Sequence, residues 1–272
     1  MTKTTARREQ ARGRRRTPRL AIVGAIGALV LLALPIVSLL QRAAWSTIGT
    51  DLSSPEALDA LRLSLVTSSA ATLVVVVLGM PLAWLLARVA FAGRAAVRAL
   101  VLLPMVLPPV VGGVALLSAF SRSSPLGGWL HATFGIQLTF SAAGVVLAQA
   151  FVALPFFVLT VEAALRQLDP RYERAAAGLG ASPSVVLRRV TLPLIGPAIA
   201  AGAVLAWARA LGEFGATITF AGNIAGRTRT LPLEVYLALE SDRDAAIALS
   251  IVLLAVSFTV LVGLRERWLV RR

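Results

Sequence analysis

Apolar residues in this chain gather into six uncharged or nearly uncharged blocks, at 20–40, 61–87, 97–120, 141–165, 194–214 and 245–264. Each block has about the 20 residues that a helix needs to cross a hydrocarbon layer roughly 30 Å thick. The short alternating segments of a strand-built barrel do not occur. The pattern predicts an all-α integral membrane protein with six transmembrane helices over 20–264. A basic tail, 1–19, precedes them and a second basic tail, 265–272, comes after.

Two blocks carry interruptions that bear on function. The third holds Pro104, Pro108, Pro109, Gly112 and Gly113, where missing N–H donors and weak helix formers predict a kink or an unwound segment. Irregular backbone survives at membrane depth only against protein or a hydrated cavity, so Pro108 and Pro109 are candidate pathway residues. Near the end of the fifth block, Arg209 and Glu213 stand four apart, on one helix face, and could pair. A charge at that depth is costly unless paired or wetted, which places the pair on the interior side as a gate element or as a structural bridge. Ser64, Ser68 and Thr72, at helical spacing, allow the same two readings, with packing between helices the simpler one.

Composition agrees with membrane insertion: 57% hydrophobic residues, 15% charged residues and a mean hydropathy of +0.81. The net charge of +14 suggests nucleic acid until the charges are located. Outside the blocks, one face holds only Arg42, Arg122, Arg227, Arg229 and Arg243. The other takes the two tails and the segments around Arg88–Arg98 and Arg166–Arg189. The positive-inside rule puts both termini and the 169–193 loop in the cytoplasm of a multi-pass protein of the cell membrane. No interleaved readers accompany the basic residues, so nucleic acid is not an expected partner. The basic N-terminal run reads as a topology anchor that favours anionic lipids. The first block is longer than a signal-peptide core and lacks a convincing cleavage site, so it is retained as a span.

The chain has no cysteine and one histidine, His131, expected at the surface of an external loop. Neither a metal site nor a Ser-His-Asp arrangement can be assembled, and no catalytic residue is expected. A phosphate-binding P-loop needs a lysine, and Lys3 in the tail is the sole one. Ion-driven carriage needs ionisable groups at membrane depth, and the blocks hold only two carboxylates, Glu162 and Glu213.

Between the fourth and fifth blocks lies a polar, ordered-looking stretch, 169–197. Asp169-Pro170 and Ser182-Pro183 each place a side-chain oxygen at a helix N-cap with proline at the first helical position. The first helix should end near Gly180, and a second, about 185–190, at Leu192-Pro193. The residues Arg174-Ala175-Ala176, Gly180, Val190, Leu192 and Pro193 match in spacing the cytoplasmic loop of ABC importer permeases, which this stretch resembles. The family's glutamate falls on Arg174, with Glu173 one residue earlier. The resemblance implies a type I importer permease fold whose coupling helices dock on a separate ATPase. That ATPase would carry ATP and Mg; no cofactor is expected on this chain.

A second likeness concerns the substrate. The segment Arg209 to Tyr236, RALGEFGATITFAGNIAGRTRTLPLEVY, with LPMVLPPVVGGVALL from Leu103 and SPLGGWL from Ser124, is similar to permeases for molybdate and less closely to those for sulfate. Phe214 followed by Ala216-Thr217 sides with the molybdate group. The implied assembly is a homodimer with a central pore, two ATPase subunits and one extracytoplasmic oxyanion-binding protein. In it, Thr217 joins Arg209 and Glu213 as a candidate pathway residue, and Arg227 and Arg229 are candidate contacts for the binding protein. Sulfate or thiosulfate import is the alternative within the class. A stand-alone secondary carrier and a membrane scaffold are the alternatives outside it.

Overall fold

The computed structural model describes the backbone of residues 19–269 and the side chains of 20–263. The tail residues 1–18 and 270–272, with Lys3 among them, lie outside the described residues. Among the described residues every regular element is helical.

The described residues up to Ala43 form one unit. Its helix α1, Arg19–Gln41, is apolar around its circumference and passes through Pro35.

The second unit begins at Ala44. After the short α2, Ile48–Leu52, it contains α3, Pro55–Arg88. Ser54 caps α3 by accepting from Ala57 N, and Pro55 occupies the first turn, where no donor is needed. The same device recurs at Ser124-Pro125, which starts α6, Pro125–Phe134, in a region expected to be a loop. Ser141 caps α7, Ala142–Gln167, through Gly144 N. Helix α7 is the centre of the unit, packed between α3 and α10 (Leu192–Leu211), and it is the most deeply buried of the long helices. Its Phe157, Val158, Val161 and Leu165 are fully buried with Val75 and Leu86 of α3 and Ala206 and Ala210 of α10. Burying an aromatic or branched side chain of this kind stabilises by about 1.5–3 kcal/mol in water, but lipid offers no such difference; here the gain is close packing.

The expected third span is two helices. Helix α4, Arg94–Val106, and α5, Pro109–Phe120, are separated by a bend of 118°. The break falls at Leu107-Pro108, both in extended backbone, because the residue before a proline is driven out of the helical region. Pro104 lies within α4 without ending it. The expected fifth span also differs. Helix α10 stops at Leu211, and a short α11, Gly215–Ala221, starts after an irregular Phe214. Helices α5 and α11 pack closely with α7 around Leu116, Ala148, Val152, Ala216 and Phe220. Two further helices, α12 (Leu231–Ser241) and α13 (Arg243–Leu269), pack on each other and on α3 through a smaller core. Among the described residues five helices are thus individually long and apolar enough to cross a membrane, and the count is six when the bent pair is taken as one span.

Candidate functional site

The 169–193 loop folds against the end of α3. Helix α8, Pro170–Gly178, is capped by Asp169, whose carboxylate accepts from Arg171 N. It closes as expected at Gly180, whose φ of +85° suits only a residue without a Cβ. Ser182, in contrast, does not cap the next helix. Its hydroxyl lies 3.1 Å from that of Ser184, and α9, Pro183–Val186, starts without a side-chain acceptor.

The second helix does not end at Leu192-Pro193 either. It widens into a π-turn, Leu187–Thr191, and continues into α10. Proline is tolerated there because the hydrogen-bond register changes across the π-turn, so the missing donor falls where the regular ladder is already interrupted.

Glu173 is the hub of the loop. Its Oε1 lies 3.2 Å from an Arg88 guanidinium nitrogen at the end of α3 and accepts from the Thr191 hydroxyl at 2.7 Å. One carboxylate therefore ties α8 to α3 and to the π-turn that leads into α10. Arg174, which occupies the motif position of glutamate, is exposed and donates to the Pro170 carbonyl. Ala175 is exposed and Ala176 partly covered, while Val190 and Leu192 are half-buried and Pro193 is exposed. A groove of about 580 Å³ opens between the loop and α3, lined by Trp84, Arg88, Glu173, Arg174, Ala177, Leu187 and Thr191 among others. Beside it, Leu179 is 90% exposed. The contacts of Arg88 and Thr191 with Glu173 were not visible from spacing. Arg88 and Thr191 stand 85 and 18 residues from Glu173, and no periodicity joins them.

At the other end of α10 the expected pair is formed: Arg209 and Glu213 approach to 2.7 Å, with Glu213 only 1% exposed. The second carboxylate oxygen of Glu213 accepts from Ala216 N at 2.8 Å. Glu213 thus neutralises the partly buried guanidinium and satisfies an orphan donor at the start of α11, where a negative charge is favoured. Thr217 is fully buried and its hydroxyl has no hydrogen-bond partner among the described residues.

Pro108 and Pro109 are exposed at the bend, whereas Gly112 and Gly113 are buried against Phe151 and α11. The bend therefore has a protein-facing side. A Cβ on Gly113 would meet the Cβ of Thr219 at 2.6 Å, and one on Gly215 would meet that of Pro109 at 2.8 Å. The two helices approach this closely only because both positions are glycine.

In the 222–234 segment the two arginines differ. Arg227 is exposed. Arg229 donates to Asn223 Oδ1 at 2.9 Å and pairs with Glu234 at 3.4 Å, so it holds the loop's shape. Of the hydroxyl stripe, Ser64 accepts from Leu231 N at 2.6 Å and Thr72 donates to the Ser68 carbonyl, both packing roles. His131 lies in the last turn of α6 and is half-buried rather than at the surface. Among the described residues no cluster of metal-ligating side chains occurs.

Residues 76–272 match the family described as binding-protein-dependent transport system inner membrane component, and the chain belongs to that family. It is 48% identical over 250 residues to the molybdenum transport system permease protein ModB of Mycobacterium tuberculosis, covering 92% of this chain and 94% of the relative. It is 39% identical over 236 residues to the sulfate transport system permease protein CysT of Escherichia coli, covering 85% of each. Among solved structures, a bacterial alginate ABC transporter in complex with an alginate-bound periplasmic protein superimposes with a TM-score of 0.73 at 20% identity, over 91% of this chain and 92% of the matched one. The fold is that of the type I ABC importer permeases, and the chain is a membrane permease component.

Proposed function

We propose that this chain is the permease subunit of an ATP-driven importer of molybdate or tungstate. The observation that carries the substrate class is the 48% identity to a molybdenum permease, sustained over nearly the whole of both chains. Two such tetrahedral dianions share charge and nearly share size, so both belong to the proposal. The functional unit is a homodimer with its pore on the two-fold axis. A cytoplasmic ATPase holding ATP and Mg sits at the docking loop, and an extracytoplasmic binding protein on the opposite face presents the anion. Both termini lie in the cytoplasm. The chain itself hydrolyses nothing.

The geometry supports a mechanical reading of coupling. Force applied to α8 reaches α3 through Arg88 and reaches α10 through Thr191. Helix α10 runs for 20 residues, about 30 Å, to Arg209 and Glu213. There Glu213 holds the start of α11, which in turn packs on α5, the second arm of the bent pair. Movement of the loop is thereby delivered to the one place where two crossings are broken. Closely packed helix ends of this kind switch between discrete arrangements rather than deform continuously.

The test is ATP hydrolysis by the reconstituted permease–ATPase complex with molybdate, tungstate or sulfate presented by the cognate binding protein. Stimulation by molybdate and tungstate well above that by sulfate is expected. Preferential stimulation by sulfate would move the assignment to the reading favoured by the 39% identity to CysT. Anion flux driven by an ion gradient with no ATPase present would overturn the reading altogether.

A further inference from the structure

Near the ends of α3 and α7 and the start of α4, three guanidiniums gather on the Glu162 carboxylate and the Leu86 carbonyl. Glu162 is 1% exposed, and a single oxygen of it pairs with Arg98 at 3.1 Å and with Arg166 at 2.7 Å. Arg166 also donates to the Leu86 carbonyl, and Arg94 donates to the same carbonyl. Three cations and one anion leave a surplus of two positive charges in the cluster. Arg98 and Arg166 are about 40% exposed, so guanidinium N–H groups not spent on Glu162 or Leu86 face outward. Helix α4 adds to the imbalance. It starts at Gly93, which has no side chain to cap it, and carries Arg94 and no acid in its first turn. Cations at a helix N-terminus are unfavourable, and an anion there would relieve both the dipole and the mutual repulsion of the arginines.

We propose that this cluster is a binding site for the headgroup of an anionic phospholipid. A phosphodiester offers oxygens in the geometry that guanidinium forks match, and basic pockets between helix ends hold such headgroups at the membrane surface. Three observations favour lipid over the other anionic partner, an acidic face of a docked protein. The cluster lies at the ends of the apolar helices α3 and α7, at headgroup level for a chain that spans the bilayer. None of Arg94, Arg98 and Arg166 lines the groove of the docking loop. The later turns of α4 present Leu100, 67% exposed, and Leu103 to the surroundings, where acyl chains would lie.

The full-length chain, in the assembly in which it purifies, is placed in nanodiscs of phosphatidylcholine with or without phosphatidylglycerol. Native mass spectrometry then reads the retained lipid. Arg94→Gln with Arg98→Gln, which leaves Arg166 on Glu162, is expected to weaken phosphatidylglycerol retention about fivefold per arginine removed. Arg188→Gln with Arg189→Gln removes the same charge from the exposed π-turn and is expected to retain the lipid. Equal loss in both variants, or loss in neither, overturns the proposal. Hydrogen exchange on the unsubstituted chain tests it without any variant. Residues 86–98 should exchange more slowly with phosphatidylglycerol than with phosphatidylcholine alone. Slowing by inorganic phosphate without the lipid, or by an added ATPase partner without it, would assign the cluster to a free anion or to a protein instead. Because the readout is lipid retention, it fails or succeeds independently of which oxyanion is imported.

Discussion

Two glutamates show how much a single residue decides here. Glu213 serves a partly exposed arginine and a backbone amide at once, from a position that water barely reaches. Glu213→Ala leaves Arg209 unpaired and the α11 amide unsatisfied, a loss of about 3–5 kcal/mol. Glu213→Gln keeps an acceptor for Ala216 N and should cost less than the alanine change. Equilibrium unfolding in mixed micelles should rank the three proteins in that order; equal stability of the two variants would remove the capping role. Glu173 is more exposed, and its loss should destabilise by only about 1 kcal/mol. Its consequence lies in coupling. Glu173→Ala should leave ATP hydrolysis by the complex nearly intact while uptake falls, because α8 would move without carrying α3 and the π-turn. Uptake and hydrolysis falling in parallel would count against the brace.

At the scale of elements, the bent α4–α5 pair and α11 form the unit whose packing is least tolerant. Gly113→Ala pushes a methyl to 2.6 Å from Thr219 Cβ and 3.0 Å from the Ala216 carbonyl, an overpacking that should cost about 1–3 kcal/mol. In a Thr219→Gly background the same change should cost clearly less, since the nearest obstacle is gone. A double-mutant cycle on unfolding free energies measures the difference, and a coupling of zero would mean that the helices separate freely. Parts of this element structure were legible in the sequence. Pro108 after Leu107 announced the break in the third crossing, and Asp169-Pro170 with Gly180 announced α8. The 118° angle was not legible, because proline removes a donor and restricts its neighbour without fixing where the next helix goes. The π-turn was hidden for a related reason. Leu192-Pro193 carries the same local signal whether a helix ends there or changes register.

At the scale of the whole molecule, the positive-inside reading of the sequence puts both termini and the 169–193 loop in the cytoplasm, and single cysteines test that orientation directly. The chain contains no cysteine, so single cysteines label one site each. Ser184→Cys, exposed on the docking loop, should react with an impermeant maleimide only after cells are opened. Ser123→Cys, exposed beside α6, should react from outside. The reverse pattern would invert the topology and remove the docking loop from any cytoplasmic ATPase.

The sequence alone determined that the chain is helical and membrane-embedded, which side its charge favours, where the capped 169–193 loop begins and where the third apolar block is interrupted. These are properties of local composition: apolar length, missing N–H donors, caps and the placement of arginine are all written within a few residues. Only the tertiary structure decided that Glu173 joins Arg88 and Thr191, that Glu162 gathers Arg98 and Arg166, that Arg229 is committed to Asn223 and Glu234, and that Gly113 meets Thr219. Most of these contacts link residues distant along the chain. Each guanidinium or small residue had several possible partners, and only the packing of α3, α5, α10 and α11 around α7 brought one of them within reach.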